Sequence, residues 1–216
     1  MHIDRTLFGS KEQLHKHRQT IEASNDDFVS KKLKIIHFYE SKVEAICEHL
    51  IHNNTISTKV AISAIIFHKR YHCLCPGIGE SMIHLKHIMI ACIFLALKCE
   101  DVRFSLKQMT KTIPLLDEKL LLKCEDDILA IISYHLAWQT ESPKIQLYAL
   151  WMLKKLTVEE YWKAEAHLMQ LYLTDLPLLN TSEEIVLMAL DIANGKLQLP
   201  SMDTVITKEE LQNIYD

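Results

Sequence analysis

An all-α fold is predicted, and three observations predict it. Gly (4) and Pro (5) are scarce over 216 residues, so little in the chain interrupts a helix. Helix-start signals recur along the whole sequence. No strand-like alternation of apolar and polar residues persists beyond a few positions.

The start signals are capping boxes: Ser10 to Gln13, Ser105 to Gln108, Thr157 to Glu160, Thr181 to Glu184 and Thr207 to Glu210. In each, a hydroxyl can accept from a free amide of the first turn, and the acid or amide three residues on can reach back. Ser142 followed by Pro143 is a cap with proline at the first helical position.

An N-terminal helix is expected from Ser10 to Ala23, then one from about Ser30 to His52, where Leu33, Ile36, Phe38, Val43, Ile46, Cys47 and Leu50 trace one face. Val60, Ala61, Ala64, Ile65 and Phe67 do the same in the next helix, which runs to about Cys73. The stretch from Cys73 to Gly79 holds two of the four glycines and reads as a loop. A helix from about Glu80 to Glu100 follows. Its second half is apolar on every side, so it must be surrounded and is the central helix. Helices near Ser105 to Ile113 and Leu116 to Leu136 complete a first half of five helices after the N-terminal one. Ala137 to Glu141 reads as a joint. Helices are then expected at about Pro143 to Lys155, Val158 to Leu173, Ser182 to Asn194 and Lys208 to Tyr215. The second half reads as a shortened copy of the same bundle.

Composition narrows the function. Apolar residues are 49% and charged residues 24%, with net charge -4 and a pI near 6.3. That balance is ordinary for a soluble domain and argues against direct nucleic-acid binding, which favours a basic face. Met1 to Phe8 has no apolar signal core. The longest apolar run, Ile88 to Leu97, is far short of the ~20 residues a membrane span needs. The six cysteines read as free thiols, with Cys47, Cys92, Cys99 and Cys124 as small core residues.

Four segments carry a family resemblance. Ala91 to Asp101, ACIFLALKCED, is an apolar helix ending in Lys, one residue, then two acids. Glu125 follows in CEDDIL, and Ile131 to Leu136 reads IISYHL. The helix from Ala61 to Tyr71 ends in FHKRY. Together these resemble the signature of the cyclin box. Leu7 to Leu14, Phe38-Tyr39-Glu40 and Leu173-Thr174-Asp175 are similar to the transcriptional type, in its cyclin H branch, in a compact form. The Met-Arg-Ala-Ile-Leu element of cell-cycle cyclins is absent.

The resemblance implies tandem cyclin-box helical bundles: residues 1–29 as N-terminal helix and linker, 30–140 as a five-helix first box that binds a kinase, and 141–216 as a shortened second box. It implies a non-catalytic regulatory subunit without cofactor or metal, which activates a cyclin-dependent kinase. By resemblance to the cyclin H branch that kinase is the CDK-activating kinase, acting in the nucleus with a RING-finger assembly factor and TFIIH on the polymerase II tail and on kinase activation loops; the alternative is another transcriptional cyclin, of the cyclin C or elongation type, which the box alone separates poorly. Lys98 and Glu125 correspond to the polar anchors of the kinase interface. Cys99, Leu129, Tyr134 and Leu136 correspond to its apolar contacts, with Cys99 where a bulkier residue is usual and Tyr134 where Phe is common. Leu14 and Ile21 of the N-terminal helix are expected to touch the kinase too.

Each feature has a blander reading. A lysine at a helix end is favourable beside the carbonyl dipole without any partner, and Glu125 beside Asp126 and Asp127 could form a solvated acidic face. Only the joint spacing favours the interface. His68, His72, Cys73 and Cys75 lie close enough to suggest zinc. However, no Cys-x-x-Cys pair is present, the chain has 12 histidines, and His68 falls in a Lys-Arg stretch expected to be exposed. No Gly-rich phosphate loop, Gly-x-Ser-x-Gly elbow or His-Glu-x-x-His motif supports an enzyme. A TFIIB-like general transcription factor would use a related tandem bundle, but a basic one. A pocket-type peptide-binding scaffold would give no reason for the Lys98 and Glu125 spacing.

Overall fold

The computed structural model describes residues 7–22, 26–51, 54–75, 82–136 and 143–198. The predicted joint at 137–141, the helix at 208–215 with its Thr207 cap and most of the 73–79 loop lie outside the described residues. Among those described there are ten helices and no strand: α1 (Lys11–Glu22), α2 (Asp26–Leu50), α3 (Asn54–Leu74), α4 (Met82–Cys99), α5 (Leu106–Thr112), α6 (Glu118–Ile131), α7 (Pro143–Met152), α8 (Val158–Leu173), α9 (Leu176–Leu179) and α10 (Ser182–Ala193).

Residues 15–136 group into one compact unit built on α2–α6, and residues 7–14 group with 143–198 in a second built on α7–α10. In the first unit α4 is the centre. It packs on α2, α3 and α6, and Leu85 and residues 87–97 are all buried, as its all-round apolar character requires. The core face of α2 is Ile36, Tyr39, Glu40, Val43 and Cys47. It is rotated slightly from the predicted stripe, with Phe38 and Ile46 at its margin.

The second unit packs α10 against α7 and α8. The capping boxes at Thr157 and Thr181 are both formed and start α8 and α10 where expected. The one-turn α9 was not predicted; four residues with a proline give no periodic signal. The backbone amides of Leu7 and Phe8 both donate to Leu178 O, at 3.0 and 3.1 Å, which fastens this stretch to α9.

Two expectations are corrected. α6 ends at Ile131 rather than near Leu136. Ser133 and Tyr134 have φ of 54° and 58°, and the Tyr134 amide turns back to Leu129 O at 2.9 Å, a left-handed closure that stops the helix. Cys47, Cys92 and Cys124 are buried, but Cys99 is exposed. The helix has left the core by its last turn.

Candidate functional site

α4 and α6 lie side by side with the same polarity. Near their starts the Asp117 amide donates to His87 Nε2 at 3.0 Å, and near the end of α4 Lys98 Nζ donates to Glu125 Oε1 at 2.5 Å. Asp117 caps α6 by accepting from the Leu120 amide at 2.8 Å, which fixes the phase of the helix. That phase turns Glu125 towards α4.

The pair is asymmetric. The Glu125 side chain is 7% exposed and that of Lys98 49%. Lys98 Nζ also stands 4.3 Å over the Phe94 ring, so its charge is held by a carboxylate and an aromatic face together. Half exposure means that solvent screens the attraction, and the pair fixes geometry more than it stabilises the fold.

The apolar residues expected around the pair lie on α6 and in the turn after it. Leu129 is one turn beyond Glu125 on the same face and is half-buried, as is Leu136. Tyr134 is 69% exposed because the left-handed turn at 133–134 throws it outward. Arg70 Nη1 donates to His135 O at 3.3 Å and ties the end of α3 to this turn. Cys99 follows Lys98 at the surface. Burial first, then Glu100 and Glu125, raise its thiol against the opposing effect of Lys98, so it is not an activated thiolate. The six expected residues therefore fall on the last turn of α4, the second half of α6 and the turn after it. Leu14 is buried within the protein and offers no free contact. The side chain of Ile21 lies outside the described residues.

The sequence reading missed a charged cluster in the first unit. Glu40, fully buried, accepts from Lys69 Nζ at 2.5 Å, and His68 Nδ1 and His37 Nδ1 each lie 3.4 Å from its carboxylate. His68 Nε2 meets His72 Nε2 at 3.2 Å. Burial alone would raise the Glu40 carboxyl. The Lys69 ammonium and the two histidine contacts outweigh it and hold the group well below the usual carboxylate range. His68, Lys69 and Arg70 are all buried, which corrects the expectation of an exposed Lys-Arg stretch. Among the described residues no three His, Cys, Asp or Glu side chains gather in a way that could hold a metal. The available signal was Glu40 itself, placed between Ile36 and Val43 on the apolar stripe of α2. A carboxylate there needs a buried cation.

Comparison with known proteins agrees with this reading. The chain is 26% identical over 204 residues to cyclin-H1-1 of Arabidopsis thaliana, a similarity that covers 90% of the chain and 56% of that relative. The chain thus spans little more than half the relative's length. No family model matches it. Its fold is similar to a chain in the CAK complex of Chaetomium thermophilum bound to ATP-gamma-S, with a TM-score of 0.70, 17% identity and coverage of 90% of this chain and 68% of that one. It is also similar to a chain in the yeast TFIIK (Kin28/Ccl1/Tfb3) complex, with a TM-score of 0.68, 21% identity and coverage of 97% and 93%. The resemblance to cyclins of the cyclin H type is borne out, and so is the all-α, tandem cyclin-box fold.

Proposed function

We propose that this cyclin H-like chain is a non-catalytic regulatory subunit that binds and activates a cyclin-dependent kinase of the CDK-activating type. The observation that carries the reading is the Lys98–Glu125 pair, formed at 2.5 Å across α4 and α6, with half-buried Leu129 one turn beyond Glu125. A surface of this kind has fixed polar anchors and apolar neighbours, and suits a partner helix that must be held in one register.

The mechanism is bias, not chemistry. A kinase of this class is inactive until a Glu on its mobile helix pairs with the Lys that holds the ATP phosphates. A rigid surface that binds the inward position of that helix better than the outward one shifts the equilibrium by its differential affinity. In this reading Lys98 and Glu125 hydrogen-bond to kinase backbone near the helix. Cys99, Leu129, Tyr134 and Leu136 cover its apolar side. Residues 30–140 act as the kinase-binding box and 141–216 as the shortened second box. The similar yeast chain belongs to an assembly named for TFIIK, which supports action in the nucleus within TFIIH, with a RING-finger assembly factor, on the polymerase II tail and kinase activation loops.

The test is affinity capture of the chain from extract of its own source. Bound proteins are identified by mass spectrometry and the eluate is assayed on a polymerase-tail peptide. A cyclin-dependent kinase whose activity disappears with Glu125→Ala is expected. Promoter DNA or polymerase subunits without a kinase would replace this reading with the general transcription factor.

A further inference from the structure

The second unit carries an exposed apolar face of its own. Tyr148, Met152 and Leu153 at the end of α7, and Val158 and Trp162 at the start of α8, are 47 to 66% exposed. Tyr148 and Met152 are four apart on one helix, and Val158 and Trp162 four apart on the next, so each pair shares a face. Rings join the two helices. The Trp151 centroid lies 5.4 Å from Tyr148 and 5.7 Å from Tyr161, and Tyr161 lies 5.2 Å from Trp162. Single exposed apolar side chains are normal, but five on one hairpin over a linked aromatic layer mark an interaction site.

The charges around this face are uneven. Glu159 is paired with Lys163 at 2.7 Å. Glu160 accepts from the amide and hydroxyl of Thr157, both at 2.8 Å. Glu165 bonds Tyr161. Each acid of the hairpin has a partner within the chain. Lys154 and Lys155, in the turn between the helices, have no side-chain partner among the described residues. Both gain a little from the carbonyl end of α7, but Lys154 also sits at φ 55°, a position that glycine would fill with less strain.

We infer that the α7–α8 face is a docking site for an acidic amphipathic helix of a partner protein. Its apolar stripe lies against Trp162, Tyr148 and Met152, and its carboxylates meet Lys154 and Lys155. Trp and Tyr bury large area at low entropic cost and dominate such contacts, and a helix supplies anchors at the matching spacing. The charge pattern disfavours the other occupants. Nucleic acid is held chiefly by phosphate contacts to many cations and would leave the apolar stripe of Trp162, Tyr148 and Met152 uncovered. A membrane-surface helix needs a basic polar face, and Lys154 and Lys155 are the two uncommitted lysines of the hairpin among the described residues.

Two synthetic helical peptides test this against the full chain, by calorimetry and tryptophan fluorescence. One has Leu at i, i+3, i+4 and i+7 with Glu at its polar positions; the other has Lys in place of Glu. The Glu peptide is expected to bind, and its Lys twin at least about tenfold more weakly. Trp162→Ala, and separately Lys154→Glu with Lys155→Glu, should each weaken the Glu peptide by about tenfold or more with unchanged circular dichroism. Failure of the Glu peptide to bind, equal binding of the twins, or indifference to both variants would overturn the inference. So would tighter binding to phosphatidylserine vesicles that the same variants abolish.

Discussion

Glu40 and Lys69 meet at 2.5 Å with neither side chain more than 3% exposed, and the pair ties α2 to α3 inside the first unit. Removal of either member takes from the other its nearest opposite charge inside the unit. Glu40→Ala is expected to destabilise the fold by about 3–5 kcal/mol, read by urea unfolding. Glu40→Leu combined with Lys69→Met should recover much of that loss, since an apolar pair leaves no charge to solvate.

The same carboxylate gives stability a defined dependence on pH. Its folded-state value is held below the ordinary 4.5, so its contribution is complete above that pH and is lost as pH falls towards the folded value. The stability difference between the wild type and Glu40→Gln should shrink as pH falls below about pH 4. Unfolding curves over that fall in pH check it.

Thiol reactivity should sort by burial. Cys99 is exposed and Cys75 half-buried. The Cys47 thiol is pushed up to about 12, by burial first and then by Glu44 and Glu48. The Cys92 thiol is raised well above its ordinary value, chiefly by burial. Maleimide labelling of the native chain should therefore modify Cys99 and Cys75. Cys47, Cys92 and Cys124 should react only on unfolding, and mass spectrometry distinguishes the sites.

In the second unit the capping box at Thr181 closes both ways. Thr181 Oγ1 accepts from the Glu184 amide at 3.3 Å, and Glu184 Oε2 accepts from the Thr181 amide at 2.7 Å. Thr181→Ala should cost about 1 kcal/mol, and Thr181→Ser should cost little. Thermal unfolding of the two variants makes the comparison.

The helical framework was legible in the sequence because it rests on local signals. The boxes at Ser105, Thr157 and Thr181 start α5, α8 and α10, and the all-round apolar run from Ile88 to Leu97 made α4 central. The meeting of Lys98 with Glu125 was legible only from their joint spacing in a known signature, since neither residue alone differs from a surface charge. What escaped is tertiary. The Lys-Arg stretch at 69–70 looks solvated until Glu40, on another helix, is seen to face it. Tyr134 owes its exposure to a left-handed turn with no glycine to announce it. The α7–α8 apolar face escaped because its exposed residues follow the same helical spacing as core ones, and only packing separates the two.

The most direct test of the kinase-binding account is the affinity of the purified chain for a CDK-activating-type kinase, measured for the wild type, Glu125→Ala and Leu129→Asp with circular dichroism as the control for folding. The account predicts at least about tenfold weaker binding for Glu125→Ala and none for Leu129→Asp, because a carboxylate buried in an apolar contact has no partner. Unchanged affinity in both variants would contradict it and move the interface away from α4 and α6.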